Sequence, residues 1–267
     1  MTATTGQLTR RMVISAPGEA YFEAADLAAH NLSARADRER AHAQHRGLRE
    51  AILAAGAEVI AVPALADHPN SVFVQDTALG TSEGFIRQRM GLPSRRGEPA
   101  WMAEALTAAG VPEIGRITAP ATAEGGDVIL AGDVAFVGRS SRTNAAGIRQ
   151  ITALLAPLGY EVRVADVPPP SLHIGGMMSA VGPRHILACG GVFPPEFFAG
   201  FEVILIPQRD FISGNVIGLG AGHVIAEQSN THAIAALRAA GFTVQPLDLS
   251  EFVKGAGGPS CLVLPLF

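Results

Sequence analysis

A short block that returns five times constrains this chain more than any other feature. It reads NSVFVQDTAL from Asn70, EGGDVILAGDVAFVG from Glu124, LHIGGMMSAVGPRHILAC from Leu172, SGNVIGLGAGHVIAEQ from Ser213 and GGPSCLVLPL from Gly257. Successive starts lie 54, 48, 41 and 44 residues apart. In several copies a glycine-rich or polar lead-in runs into an apolar strand, a turn and a second strand. A quasi-period of this length points to a repeat architecture.

All-β propeller blades have a similar period, but here helical patterns fall between several of the blocks. Helices are expected over 34–55, ending at Gly56, and over 99–109, 144–155 and 230–240. The last stops at Gly241, a residue suited to a helix C-terminus. Apolar, β-branched stretches at 12–15 and 58–62 read as strands. Each unit is then a ββαβ module, and five of them around a centre make a closed α/β propeller. A doubly wound α/β sheet would give the same alternation, and the period alone does not separate the two. Pro168, Pro169 and Pro170 form a rigid connector into the third block. With no linker dividing the chain, residues 1–267 are expected to form one domain.

Composition narrows the function classes. The 267 residues are 48% apolar and 16% charged, as in a globular chain with a sizeable core. A net charge of −4, with no Lys/Arg cluster along a predicted helix, argues against nucleic acid as a partner. No apolar run approaches the ~18 residues that a membrane span needs, and the start lacks a secretory pattern. A cytoplasmic location follows as the expectation, with Cys189 and Cys261 as free thiols and the role of Cys189 open. A homodimer is neither required nor excluded.

The chemistry-bearing residues gather at the lead-ins: Asn70, Gln75 and Asp76; Glu124 and Asp127; His173; Cys261. A propeller would bring these positions together near its axis. Cys261 follows Gly257, Gly258 and Pro259, so a substrate could approach the thiol closely, although a free cysteine is often a small core residue. His173 titrates near neutrality and could act as acid and then base. Asp76 lies in an apolar run and needs a partner if buried, either a cationic ligand or an arginine of the chain. Arg95 and Arg142 are forks suited to carboxylates, although each taken singly reads as a surface residue. No metal motif, P-loop or dinucleotide-binding glycine pattern is present, so no cofactor and no metal are expected.

Taken together, these segments resemble the dimethylarginine dimethylaminohydrolases of the guanidine-modifying, or pentein, superfamily. NSVFVQDTAL resembles the family's aspartate strand, GLPSRRGE its arginine loop, LHIGGMMSA its histidine strand and GGPSCLVLPL its cysteine strand. EGGDVILAGDVAFVGRSSRTNAAG matches best. The matches keep the family's order from about residue 60 onward and fit more loosely before it.

The resemblance implies a five-module α/β propeller with pseudo-five-fold symmetry and no cofactor. It implies that Cys261 attacks the guanidinium carbon of an N-methylated L-arginine. His173 protonates the departing methylamine or dimethylamine, and the covalent thiouronium is hydrolysed to L-citrulline. Glu124 would orient His173, Asp76 would grip the guanidinium, and Arg95 and Arg142 would hold the α-carboxylate. Asp127 would be structural. A mobile lid around residues 20–32 would bring Leu27 to the substrate.

Three departures bear on the substrate. Asn70 and Gln75 stand where the family pattern has carboxylates, and Gly175 stands where arginine and agmatine deiminases carry an aspartate. GGPSC is nearer to the deiminase cysteine segment. A ureido substrate such as citrulline, arginine itself, or amidino transfer is therefore the alternative chemistry. A non-catalytic propeller acting as a binding protein is the alternative of a different class.

Overall fold

Five three-stranded sheets organise the computed structural model, which describes residues 11–267. The chain begins with β1 (Arg11–Ser15), α1 (Glu19–Glu23), α2 (Arg38–Ala54) and β2 (Glu58–Val62). The next module is β3 (Ala78–Thr81), β4 (Gly84–Arg87), α3 (Glu98–Ala108) and β5 (Glu113–Arg116). It is followed by β6 (Val128–Ala131), β7 (Val134–Arg139), α4 (Ala145–Leu155) and β8 (Glu161–Asp166). Then come β9 (Met178–Gly182), β10 (His185–Cys189) and β11 (Glu202–Ile206). The last stretch holds β12 (Val216–Gly220), β13 (His223–Glu227), α5 (Thr231–Ala239), β14 (Thr243–Leu247), α6 (Ser250–Val253) and β15 (Leu264–Leu266).

Every sheet follows one rule. An inner strand pairs antiparallel with the middle strand, and the outer strand pairs parallel with that same middle strand, as in β6–β7–β8 with Ile129 opposite Phe136 and Phe136 opposite Arg163. A parallel neighbour requires a crossover, which an α-helix between the strands supplies in four of the five modules. In the remaining sheet β15 pairs antiparallel with β1, which pairs parallel with β2, so the two ends of the chain complete one module and close the ring. Around the centre β15 meets β3, β6 meets β9 and β9 meets β12. The fold is thus the five-module α/β propeller, and the doubly wound alternative falls, because among the described residues no sheet has more than three strands.

Helix starts are set by caps. Asp37 accepts from the Arg40 amide at 2.9 Å, so the first long helix begins at Arg38 and not at residue 34. Asn144 and Asn230, expected as helical residues, are N-caps instead, Asn144 accepting from Gly147 N at 2.8 Å. Each such cap is worth about 1 kcal/mol. The β9–β11 module has no α-helix in its crossover, only a 3₁₀ turn at Pro195–Phe198. Aromatic packing fills the space: Phe197 lies 5.0 Å from Phe136 and 5.1 Å from Phe193 between ring centroids.

The chemistry-bearing residues stand at the lead-ins, before the inner strands. Asp76 and Cys261 sit on 3₁₀ turns that precede inner strands, and Glu124 and His173 are the extended residues that cap two further such turns. The strand after Cys261 begins at Leu264. Among the described residues, no helix is long and apolar enough to cross a membrane.

Candidate active site

The lead-in turns are short because their bonds run from residue i to i+3. Asp127 N donates to Glu124 O at 3.0 Å, Gly176 N to His173 O at 3.1 Å and Cys261 N to Gly258 O at 3.1 Å. Neighbouring turns touch around the ring, and this contact brings residues far apart in sequence together. Gly126 makes the approach feasible: a Cβ there would lie 2.7 Å from Asp76 Oδ1 and 2.8 Å from His173 Nδ1.

His173 sits between two carboxylates. Its Nε2 is 2.7 Å from Glu124 Oε2, and its Nδ1 is 3.8 Å from Asp76 Oδ1. Burial works to lower the imidazole pKa, but the charges of Asp76 and Asp127 and the bond to Glu124 outweigh it and hold it near 9. Burial likewise pushes Glu124 up, yet the bond and charge of His173, with Arg95 and Arg142, keep its carboxyl well below the usual range. Glu124 Oε1 also accepts from Gly91 N at 2.8 Å. At neutral pH the pair is an imidazolium and a carboxylate.

Among the described residues, the side chain of Asp127 makes no hydrogen bond to this pair, although its charge acts on His173. It accepts from Ile174 N at 3.0 Å and from Ser140 Oγ at 2.5 Å, tying one turn to the next, while burial lifts its carboxyl to about 6. The structural role expected of it fits these contacts. Asp76, Glu124 and His173 have donor atoms within 4.8 Å of one another, close enough to hold a metal ion. Each donor already has a partner in the chain: Glu124 has His173 and Gly91, and Asp76 has Arg95 and Gly126 N.

Both arginines expected at the site are there, and both are buried, against the surface position that each suggests alone. Their surroundings differ. Arg95 Nη1 bonds Asp76 Oδ2 at 2.6 Å, its Nε and Nη2 bond Glu98 Oε2 at 2.9 and 2.7 Å, and Nη2 also donates to Phe73 O at 3.0 Å. Burial would lower this guanidinium's pKa, but Glu98 and Asp76 raise it, so the charge is permanent. Among the described residues the Arg142 side chain makes one long polar contact, Nη1 to Glu124 Oε1 at 3.8 Å.

Cys261 lines two adjoining cavities of about 20 Å³ each. The first is walled by Asn70, Asp76, Arg95, Arg142 and His173, with Asn31 and Phe73. The second is walled by Gln75, His173, Gly175, Phe211 and Asn215. Burial and the nearby Asp76 charge push the Cys261 thiol up to about 12. Cys189 is raised as well, to about 11, mainly by burial, but it lies within β10 and packs in a hydrophobic cluster with Ile186 and Phe193.

Of the predicted site residues, Glu124 and Leu27 line neither cavity: Glu124 lies behind His173, which it bonds, and Leu27 packs against the apolar cluster that holds Tyr21 and Phe22. The segment expected to form a lid lines the first cavity with Asn31, four residues on. Asn70 Nδ2 donates to His30 O at 2.9 Å, while its Oδ1 is buried without a partner among the described residues. Gln75 Oε1 accepts from Ser260 Oγ at 3.2 Å. Sequence reasoning passed over Asn215, although it stands in the lead-in SGNV of the fourth block, the position that carries chemistry in the other four.

Comparison with known proteins places this geometry in context. Residues 19–267 match the family described as "N,N dimethylarginine dimethylhydrolase, eukaryotic", so the likeness extends some forty residues earlier than the motifs indicate. The N(G),N(G)-dimethylarginine dimethylaminohydrolase of Pseudomonas aeruginosa is 32% identical over 231 residues, covering 85% of this chain and 89% of that protein. The protein of the same name from Streptomyces coelicolor is 32% identical over 222 residues, covering 81% and 82%. A mutant of the Pseudomonas enzyme complexed with citrulline superposes with a TM-score of 0.86 at 29% identity, over 97% of this chain and all of the other. The N-terminal domain of the arginine dihydrolase ArgZ superposes with a TM-score of 0.84 at 18% identity, a likeness of fold.

Proposed function

The chain belongs to the dimethylarginine dimethylaminohydrolase family and is a hydrolase of C–N bonds, and from that premise we propose that it converts an N-methylated L-arginine to L-citrulline and methylamine or dimethylamine. In this reading Cys261 loses its thiol proton to solvent as the cationic substrate binds, the thiolate Sγ attacks the guanidinium carbon, and a C–S bond forms before the C–N bond to the alkylated nitrogen breaks. His173, an imidazolium held by Glu124, gives its proton to the departing amine. Neutral His173 then takes a proton from water, which adds to the covalent thiouronium and expels the thiolate.

The observation that carries this reading is the electrostatic setting of the thiol. At about 12, Cys261 is protonated in the free enzyme, and the negative Asp76 contributes to that. A cation about 4 Å away is worth about 4 kcal/mol at an effective dielectric of 20. That is about three pKa units, enough to bring the thiol near the imidazole. A guanidinium held by Asp76 supplies that charge, so the substrate generates its own nucleophile. A neutral ureido group does not supply it, although the Gln75 amide could donate to a ureido oxygen; this favours the cationic substrate over the ureido one.

The other walls suit the amino-acid end. Arg142 has a fork largely free for the α-carboxylate, whereas Arg95 has most of its donors engaged and supports Asp76. The unpartnered Asn70 Oδ1 is an acceptor for the α-ammonium. A cavity of about 20 Å³ admits a water and not an amino acid, so entry requires the wall at Asn31 and residues 255–257 to move. The test is a substrate panel of arginine, methylated arginines, citrulline and agmatine, scored for ammonia and alkylamine. Alkylamine release from methylated arginine alone supports the reading, and preferred release of ammonia from arginine or citrulline would replace it.

A further inference from the structure

We infer that Asn215 is the positioning residue for the nucleophile: its amide clamps the Cys261 turn to the His173 turn and turns an N–H toward the sulfur. The inference rests on the assignment of Cys261 as the nucleophile, and it extends the arrangement to the fourth block and its approach, which otherwise add only the apolar wall at Phe211 and Ile212.

The amide is 1% exposed, and its orientation is fixed from both sides. Oδ1 accepts from the Ser260 backbone N–H at 2.9 Å, which only an oxygen can do. Nδ2 donates to Gly175 O at 2.9 Å, which only a nitrogen can do. The same Nδ2 lies 2.8 Å from Ser260 Oγ and 3.7 Å from Cys261 Sγ. Asn215 therefore holds the residue before the cysteine by its backbone and its side chain, and the second residue after the histidine by its carbonyl. The relative placement of sulfur and imidazole passes through this one side chain.

Two hydrogens face three acceptors. One is committed to Gly175 O, and the other is shared between the Ser260 hydroxyl and the sulfur. A neutral thiol is a weak acceptor, so in the free enzyme the hydroxyl at 2.8 Å takes it. Once the sulfur is a thiolate the balance shifts, because bonds to ionised acceptors are about twice as strong as neutral ones. Ser260 can release the amide without losing a partner, since its own hydroxyl donates to Gln75 Oε1 at 3.2 Å. The N–H is thus placed to favour the thiolate over the thiol, acting when charge develops on sulfur.

Gly258 gives an independent handle. A Cβ there would lie 2.5 Å from Asn215 Oδ1 and 2.6 Å from its Cγ, so Gly258→Ala displaces the amide without removing it. The test is the alkylation rate of Cys261 by iodoacetamide from about pH 7 to about pH 10, where the rate follows the thiolate fraction. Asn215→Ala should alkylate about tenfold more slowly than wild type at each pH, which corresponds to one pKa unit on the thiol. Asn215→Asp keeps the shape and the Oδ1 acceptor but replaces the donor with a charge, so it should be slower still; Gly258→Ala should fall between wild type and Asn215→Ala. On methylated arginine kcat should drop by about 10- to 100-fold with KM little changed.

Wild-type alkylation rates in Asn215→Asp, or in both Asn215→Ala and Gly258→Ala, would overturn the inference. If Asn215→Ala does not fold, the aspartate and Gly258 variants decide it. Alkylation needs no substrate, so failure of the methylarginine reading leaves this test intact.

Discussion

Asp76 and Arg95 hold each other at 2.6 Å, both buried, with Glu98 closing the other side of the guanidinium. The carboxylate expected to meet the substrate's cation thus already has a cation behind it, and one of the two arginines expected to meet the substrate's carboxylate is mostly engaged within the chain. The pair fixes the orientation of Asp76 and leaves Oδ1, which accepts from Gly126 N at 3.2 Å, on the side of His173.

The two arginines should therefore separate by phenotype. Removing one partner of a buried ion pair costs about 3–5 kcal/mol. Arg95→Ala, which strands both Asp76 and Glu98, should show that loss in denaturant unfolding. Arg142→Ala should unfold near wild type and raise KM for methylated arginine about 10-fold or more, with a smaller change in kcat. The reverse pattern would mean that Arg95 carries the substrate carboxylate.

Charge at the thiol should be visible in probe choice. At pH 7 a cationic haloacetamidine should label Cys261 at least about tenfold faster than a neutral haloacetamide of like intrinsic reactivity, because it brings the positive charge that lowers the thiol from about 12. Asp76→Asn should shrink this ratio. Equal rates for the two probes would remove substrate-assisted activation from the account.

The Glu124–His173 pair predicts a pH dependence of stability. The imidazole's folded pKa is raised, so its contribution is complete below about 6.5 and fades as pH rises through about 9. Glu124 is depressed, so its contribution is present above its ordinary value near 4.5 and is lost as pH falls through its lower folded value. Melting temperature should decline from pH 6.5 to 9 in wild type and stay flatter in Glu124→Gln. A slope unchanged by that substitution would show that the pair does not titrate as described.

Gln75 offers a sharper test than its family position suggests. Because its carbonyl accepts from Ser260 Oγ, beside the nucleophile, Gln75→Glu places a charge next to the sulfur. The substitution should lower kcat about tenfold or more for every substrate, with little change in preference among them. A shift in preference toward cationic guanidines would instead make Gln75 a specificity residue and revive a ureido substrate.

Much of the site was legible in the sequence because each module repeats one lead-in, and a repeat fixes which positions converge once the ring is known. Asp76, Glu124, His173 and Cys261 were found this way, and in the structure they do converge. The lead-ins being 3₁₀ turns was not legible: apolar runs such as Val72–Val74 read as strand, and the i→i+3 bonds come from packing between neighbouring modules. The pairing of Arg95 with Asp76 joins positions 19 apart through that same packing, so no local pattern announces it. Leu27 was placed by analogy with a loop, whose register the sequence does not determine; the structure puts Asn31 at the cavity. Asn215 escaped notice because an asparagine in a glycine-rich lead-in also reads as ordinary turn chemistry.

The most direct measurement incubates the purified protein with asymmetric dimethylarginine and quantifies L-citrulline and dimethylamine, alongside Cys261→Ser. The account predicts equimolar products from the wild type and none from the serine variant. No products from the wild type, or equal products from both proteins, would contradict it.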